Sequence, residues 1–207
     1  MSMIQEPRLV LVVSGPSGAG KSTLCDKFVA KNSSCSLIVT STTRPQRKGE
    51  VDGEDYHFIS EDEFRKMMDR EEFLEHARVH DHWYGSPRKV VDQTLAAGKD
   101  VILEIDVQGG REVKRRKPDA VLIFVIPSDL SVLRSRLVGR GTDSAEIIEK
   151  RLSNARREME KLDQYDYVVF NDDLQQAVQL LGKIIDSERH ALKRYDCRKV
   201  FDPELLG

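Results

Sequence analysis

A glycine-rich stretch near the N-terminus constrains this chain more than any other feature. The apolar run 9–13 is followed by Gly-x-x-x-x-Gly-Lys-Ser from Gly15 to Ser22, directly before a helical pattern. The glycines let the main chain adopt positive φ and bring its N–H groups against phosphate oxygens, where a Cβ would clash. Strand, loop and helix in this order predict a phosphate-binding loop that faces the positive end of the helix.

The predicted loop would hold the triphosphate of a donor nucleotide. Lys21 can reach the outer phosphates as a point charge, and the Ser22 hydroxyl is placed to bind a Mg²⁺ ion that bridges them. The residues predicted to contact the donor are Gly15, Pro16, Ser17, Gly18, Ala19, Gly20, Lys21, Ser22 and Thr23. A glycine-rich turn with a chance lysine is the alternative. Because glycine makes up about 7% of residues, this spacing arises by accident in about one chain in a hundred, so nucleotide binding is favoured.

The composition fits one soluble domain. The chain has 207 residues, with 33 Lys and Arg against 35 Asp and Glu. This balance argues against a general nucleic-acid or membrane-surface binder, so phosphate recognition must come from local basic clusters. Residues 1–8 lack the apolar centre of a signal peptide, no apolar run is long enough to cross a bilayer, and the three cysteines lack metal-ligand spacing. We therefore expect a cytoplasmic protein without nucleic-acid or membrane partners, and a homo-oligomer remains open.

Strand and helix patterns alternate along most of the chain. Apolar runs predict strands over 9–14, 101–106, 120–126 and 167–170, and helical patterns separate them. This alternation predicts an α/β fold with a central parallel sheet flanked by helices. In such folds ligands bind at the carboxyl ends of the strands.

The segment 37–86 interrupts this alternation. It is rich in strand patterns, and a capping box at Ser60 and Glu63 opens one helix within it. Ser86 and Pro87 are predicted to cap the helix that follows. Further on, a short basic helix is predicted from Gly109, and a charged helix from about residue 143 to 162.

Two arginines in the interrupting segment predict a second phosphate site. Arg44 and Arg47 lie three residues apart and offer a fork of donors, and the hydroxyls of Tyr56 and Tyr84 can add to the same site. Glu75 is suited to hydrogen-bond a nucleobase rather than a phosphate. One carboxylate can accept from both N1–H and the N2 amine of guanine, whereas adenine presents an acceptor at N1, a mismatch worth about 10⁴ in discrimination.

With these residues the chain resembles the guanylate kinases, enzymes that phosphorylate GMP at the expense of ATP, over about 9–185. The stretches that carry the resemblance are 14–23, 41–47, Gly49-Glu50, 53–56, 72–77, 84–86, 103–109, Arg136-Leu137, 139–142 and Asn171-Asp172. The resemblance implies a P-loop kinase with an inserted β-rich GMP-binding region and a helical lid. The implied parts are a core of residues 1–36, 87–138 and 164–196, a GMP-binding insert 37–86, a lid 139–163 and a loose tail 197–207.

The resemblance also implies roles for individual residues. Those implied to hold the GMP phosphate are Arg44, Arg47, Tyr56 and Tyr84. Those implied to contact guanine are Glu75, Ser86, Glu104 and either Thr40 or Ser41. Asp106 joins this GMP-binding set and is also a candidate to orient Mg²⁺. Asn171 would lie near the adenine of ATP. The residues implied to be catalytic are Lys21, Arg44, Arg136, Arg140 and Arg151, and the last three would close over the phosphates. Many family members have Ser in place of Thr40, and some have Asp in place of Glu104.

Two other functions stay open at this point. One is a catalytically inactive binding module that keeps the fold and binds proteins through its GMP site. The other is a different nucleoside monophosphate kinase or a small-molecule kinase. The intact Gly20-Lys21-Ser22 argues against the first, and Glu75 argues against an adenylate or thymidylate acceptor.

Overall fold

The computed structural model describes residues 6–79, 81–139 and 144–195. Its strands, in chain order, are β1 Val10–Ser14, β2 Cys35–Leu37, β3 Ser41–Thr42, β4 His57–Phe58, β5 Phe73–Val79, β6 His82–Pro87, β7 Asp100–Glu104, β8 Val121–Ile126 and β9 Tyr167–Phe170. Its α-helices are α1 Lys21–Val29, α2 Glu61–Asp69, α3 Arg88–Ala96, α4 Val107–Arg116, α5 Leu130–Gly139, α6 Ala145–Met159 and α7 Leu174–Arg189.

A five-stranded parallel sheet with the order β2-β7-β1-β8-β9 forms the centre of the fold. Alternate residues of β1 point to opposite faces, so Leu11 and Val13 pack with α1 and α7 while Val10 and Val12 pack on the other side. Both faces are buried, which explains the continuous apolar runs of its inner strands. The predicted α/β fold with a central parallel sheet is therefore confirmed.

A second, four-stranded sheet with the order β4-β3-β6-β5 is built between residues 41 and 87. Helix α2 covers it through Phe64, whose ring stacks on Phe73 with centroids 4.4 Å apart. The predicted capping box is confirmed at its Ser60 end, because the Ser60 hydroxyl accepts a hydrogen bond from the main-chain N–H of Glu63. Gly85 on β6 leaves room for these rings, since a Cβ there would lie 2.8 Å from Phe73.

Two helix starts differ from the sequence-based expectation. Ser86 does not cap α3: the N-cap is Pro87, which makes no side-chain cap bond, and the Ser86 hydroxyl donates to Glu75 instead. Helix α4 starts two residues before the predicted Gly109, because the Asp106 carboxylate accepts from the Gly109 N–H at 2.8 Å and caps the helix. A polar side chain therefore caps α4 but not α3.

Helices α5 and α6 pack against each other beside the phosphate-binding loop. Leu133 and Leu137 of α5 join Ile148 and Leu152 of α6 in a separate apolar cluster. Ser144 caps α6 by accepting from the N–H of Ile147. The lid predicted over 139–163 includes residues 140–143, which lie outside the described residues. The division into core, insert, lid and tail stays a prediction. Within the described part of the chain, no helix combines the length and apolar character needed to cross a membrane.

Candidate active site

The loop between β1 and α1 depends on glycines in the left-handed region. Gly15, Gly18 and Gly20 have φ of 142°, 91° and 83°. A Cβ on Gly15 would lie 2.0 Å from the carbonyl oxygen of Val125 on β8, and one on Gly20 would lie 2.5 Å from the Nδ2 of Asn171. The loop is thus seated against two neighbouring parts of the core, and only glycine fits at these two positions.

Lys21 lies over this loop. Its Nζ donates to the carbonyl oxygens of Gly15 and Pro16 at 2.6 and 3.1 Å. Gly20, the N-cap of α1, provides no side-chain bond to the helix. The positive end of α1 and the ammonium group of Lys21 therefore face the same concave main chain, an arrangement suited to an anion.

Ser22 and Glu104 bring a hydroxyl and a carboxylate together at the end of the central sheet. The Ser22 Oγ donates to Glu104 Oε1 at 2.8 Å, and Glu104 is the last residue of β7, the strand beside β1. Burial raises the pKa of Glu104, and the charge of Lys21 partly opposes this. Both groups are hard oxygen donors of the kind that Mg²⁺ prefers. The described residues contain no group of three or more His, Cys, Asp or Glu side chains that could hold a metal ion.

Three predicted donor-site residues come together on the other side of the loop. The Nδ2 of Asn171, which follows β9, donates to the carbonyl oxygen of Ala19 at 2.8 Å. Arg136 of α5 donates to the carbonyl oxygen of Asn171 at 2.8 Å, and Arg151 of α6 lies 3.4 Å from the hydroxyl of Ser17. Arg140 lies outside the described residues.

Arg44, two residues after the end of β3, is a buried cation with only 9% of its surface exposed. It forms a bidentate ion pair with Glu50, with Nη2 to Oε1 at 2.7 Å and Nη1 to Oε2 at 3.0 Å. The guanidinium lies over the rings of Tyr56 and Phe58, with its carbon 5.3 and 5.6 Å from their centroids. These contacts hold the guanidinium in one orientation.

The two predicted tyrosines lie together beside Arg44. The Tyr56 and Tyr84 rings meet edge to face with centroids 6.0 Å apart. Burial, reinforced by the charge of Glu104, raises the pKa of Tyr56 to about 12, so its hydroxyl remains a proton donor at neutral pH. The Arg47 side chain is exposed, and its main-chain N–H reaches the Arg44 cluster by donating to Glu50 Oε2 at 2.8 Å.

Glu75 is a buried carboxylate on β5, only 1% exposed. Its Oε1 accepts from both the hydroxyl and the main-chain N–H of Ser86, at 2.7 and 3.1 Å. Burial raises the pKa of Glu75 to about 7, and the negative charge of Asp106 adds to this rise. The hydrogen bonds from Ser86 act in the other direction, because they favour the charged form. Its second oxygen lies beside the first turn of α4, where a Cβ on Gly109 would be 2.6 Å away.

Asp106, Thr40 and Ser41 are the remaining residues predicted to bind GMP. Asp106 is close enough to Glu75 to raise its pKa, and burial raises the pKa of Asp106 itself. Thr40 and Ser41 are both buried at the start of β3, and Ser41 pairs with Gly85, the residue before Ser86. The predicted acceptor residues therefore share one corner of the molecule, near the carboxyl end of β7.

Two acidic residues near the site have no role in the sequence-based prediction. Glu50 binds Arg44, and the spacing Arg44-x-x-Arg47-x-x-Glu50 is the signal that could have drawn attention to it. Glu158 of α6 is half-buried, which raises its pKa, and its charge interacts with Lys21 and Asp106. Its position within a charged helix offers no distinguishing pattern.

Comparisons with known proteins agree with this geometry. The sequence model of the guanylate kinase family matches residues 7–188. The chain is 44% identical over 193 residues to a guanylate kinase of Clostridioides difficile, covering 93% of this chain and 94% of that protein. It is 47% identical over 191 residues to one of Lactococcus lactis, covering 92% and 93%. The fold is similar to the crystal structure of guanylate kinase from Anaplasma phagocytophilum, with a TM-score of 0.80, 30% identity and coverage of 96% and 95%. The chain belongs to the guanylate kinase family.

Proposed function

We propose that this protein transfers the γ-phosphoryl group of ATP to GMP, giving ADP and GDP. The observation that carries the proposal is the buried Glu75 carboxylate, held by Ser86 near the end of the same sheet from which the phosphate-binding loop extends. A carboxylate at this place selects a base with adjacent N–H donors. The guanylate kinases to which the chain is similar support the same activity.

The donor site is proposed to bind the ATP phosphates through the main chain of residues 15–20 and through Lys21. Lys21 would exchange its bonds to the carbonyls of Gly15 and Pro16 for phosphate oxygens. Ser22 and Glu104 are the residues that would hold Mg²⁺ directly or through water. When bound, the ion neutralises charge on the β- and γ-phosphates.

We assign Glu104 to the phosphate side of the site and Asp106 to the guanine side. The support for Glu104 is its hydrogen bond with Ser22, the predicted magnesium ligand. The support for Asp106 is its position beside Glu75, with Gly109 packed against both carboxylates. This proposal differs from the expectation that Glu104 contacts guanine, which stays a prediction.

Catalysis is proposed to come from positioning and charge. Arg44, Arg47, Tyr56 and Tyr84 would hold the GMP phosphate, whose oxygen attacks the γ-phosphorus in line. Because that oxygen is already largely ionised, no separate general base is needed. Lys21, Arg136 and Arg151 would bind the transferring group as its charge spreads over the equatorial oxygens, and a closed site would exclude water.

We also propose a cytoplasmic location. The support is two free buried cysteines, Cys25 and Cys35, which suit a reducing compartment. No described contact favours either alternative function, the inactive binding module or a kinase for another acceptor.

A coupled assay of ADP release tests the acceptor. With ATP and Mg²⁺ we expect turnover with GMP and at least about 10³-fold lower kcat/KM with AMP or dTMP, since both would leave the Glu75 carboxylate facing an unsuitable base edge. Lys21→Ala should lower kcat by more than about 10²-fold while circular dichroism shows an unchanged fold. Higher activity with AMP than with GMP would refute the guanine assignment, and turnover with none of the acceptors would favour the inactive module.

A further inference from the structure

Glu50 holds both arginines of the proposed phosphate site. Its Oε1 accepts from Arg44 Nη2 at 2.7 Å, and its Oε2 accepts from Arg44 Nη1 at 3.0 Å and from the main-chain N–H of Arg47 at 2.8 Å. The hydrogen bonds from Arg44 outweigh burial and lower the pKa of Glu50, so the side chain is ionised at neutral pH. One carboxylate thus connects two residues that are three apart in the chain.

The bonds of Arg44 leave one particular edge of its guanidinium for a ligand. A guanidinium carries five N–H donors. Glu50 takes one from each Nη, and the carbonyl oxygen of Pro45 takes the second donor of Nη1 at 2.7 Å. Neither Glu50 nor Pro45 uses the Nε donor and the second Nη2 donor, which are parallel and form the second fork of the group; the side chain of Tyr84 also hydrogen-bonds to this guanidinium. Such a fork matches two oxygens of a phosphate.

Packing fixes the plane of this fork. Arg44 is 9% exposed and lies over the rings of Tyr56 and Phe58. The hydroxyl of Tyr84, a residue proposed to hold the same phosphate, also interacts with the guanidinium. With its plane set by the rings and one edge bound by Glu50, Arg44 has little freedom to rotate.

We infer that Glu50 is a positioning residue for the acceptor phosphate: it binds one edge of Arg44 so that the Nε and Nη2 edge faces the phosphate of GMP. The inference rests on the proposed function, in which Arg44 binds that phosphate. Glu50 does not touch the substrate. It orients the fork before GMP arrives, which removes part of the ordering cost of binding.

In the alternative role, Glu50 is a placeholder: its carboxylate binds Arg44 only until the phosphate of GMP displaces it. Displacement would break three hydrogen bonds at once, including the one from the Arg47 main chain. It would also leave the Glu50 carboxylate, now 19% exposed, beside an incoming phosphate of like charge. The two roles predict opposite changes in GMP affinity.

The test compares Glu50→Gln and Glu50→Asp with Glu61→Gln as a matched control. Glu61 pairs with Arg65 at the same 2.7 Å and lies in the same part of the chain, but both members of this pair are more than half exposed. For Glu50→Gln we expect KM for GMP to rise at least about 10-fold and KM for ATP to stay within about twofold, because only the acceptor fork loses its anchor. Glu50→Asp keeps the charge and should recover part of the loss. Glu61→Gln should change neither constant.

A second readout separates positioning from a general loss of structure. Guanosine lacks the phosphate, so its inhibition constant against GMP should be equal in the wild type and in both Glu50 variants. If guanosine binding weakens as much as GMP binding, Glu50 supports the whole site and the inference fails. A lower KM for GMP in Glu50→Gln would instead establish the placeholder and overturn it.

Arg44→Lys distinguishes the inference from the proposed function. If Arg44→Lys raises KM for GMP and Glu50→Gln does not, the role of Glu50 is wrong and the phosphate site stands. If Arg44→Lys leaves KM for GMP unchanged, the phosphate site itself is misassigned. In the double variant, the effects on kcat/KM should be less than additive on a logarithmic scale, because Glu50 acts through Arg44.

Discussion

At the scale of single residues, Glu75 combines a functional demand with a cost in stability. It is 1% exposed, and burial raises its pKa from 4.5 to about 7. The folded protein therefore holds the Glu75 proton more tightly than the unfolded chain, and ionisation of this group lowers the free energy of unfolding as the pH rises from about 4.5 to about 7. Above that range the loss is complete, although the carboxylate is the form that guanine requires.

Replacement of Glu75 by Gln should expose this conflict. At pH 8 we expect the free energy of unfolding of Glu75→Gln to exceed that of the wild type by up to about 3 kcal/mol. The reason is that the amide keeps an oxygen that can accept from Ser86 but carries no buried charge. The gain should vanish near pH 4.5, and kcat/KM for GMP should fall more than about 10²-fold. In the wild type, kcat/KM for GMP should decrease below about pH 7.

Urea unfolding at pH 4.5 and pH 8 measures the effect of Glu75→Gln on stability, and the exposed Glu72→Gln serves as control. Equal free energies of unfolding for Glu75→Gln and the wild type at pH 8 would contradict this account.

At the scale of elements, the first turn of α4 forms one wall of the proposed guanine site. Asp106 caps this helix through the N–H of Gly109, and Gly109 in turn packs against the second oxygen of Glu75. The start of the helix, the acceptor carboxylate and the cap are thus fitted to one another. A side chain at Gly109 has to displace Glu75, which Ser86 holds in place.

Gly109→Ala is expected to raise KM for GMP by at least about 10-fold with little change in KM for ATP. The reason is that the added methyl would lie 2.6 Å from Glu75 Oε2, closer than any ordinary contact. Gly182→Ala in α7 is the matched control, since its Cβ would lie 3.6 Å from the ring of Phe28 and should leave both constants unchanged. Steady-state kinetics with each substrate varied in turn would detect the difference; a parallel rise in both constants would argue for a wider disturbance.

The elements also show what the sequence can and cannot predict. The apolar runs of β1, β7 and β8 and the cap at Ser60 are local patterns, and all are found within two residues of the expected place, although β7 ends at Glu104 and Asp106 caps α4 instead. Strand β2 has only three residues, two of them half-buried, and it exists because Leu37 pairs with Ile102 far along the chain. Such pairing leaves no local pattern. Ser86 likewise has the sequence context of a helix cap, but a tertiary contact with Glu75 recruits its hydroxyl.

At the scale of the whole molecule, a buried carboxylate joins several elements at the end of the central sheet that lies opposite the site. Asp100, the first residue of β7, is fully buried and accepts from the main-chain N–H of Leu9 at 2.9 Å. Its other oxygen accepts from Arg189, the last residue of α7, at 3.1 Å from Nε and 2.5 Å from Nη2. Two strands and the C-terminal end of a long helix therefore meet at one carboxylate. The sequence does not reveal this contact, because 89 residues separate the partners.

Asp100→Ala should destabilise the protein without altering its substrate affinities. It removes the acceptor of the Leu9 N–H and the buried partner of the Arg189 guanidinium, which is 15% exposed and keeps its 3.4 Å pair with the exposed Asp186 and a 3.5 Å contact with the Ser34 hydroxyl. We expect a loss of about 3 kcal/mol, the lower end for a broken buried ion pair. Because Asp100 and the site lie at opposite ends of β7, KM for ATP and for GMP should stay within about twofold at a temperature where the variant is folded. Arg115→Ala, which breaks an ion pair whose arginine is 68% exposed, should cost less than about 1 kcal/mol. Urea unfolding and steady-state kinetics on both variants would check this separation of stability from binding, and a change in KM for GMP in Asp100→Ala would mean that the two ends of the sheet are coupled.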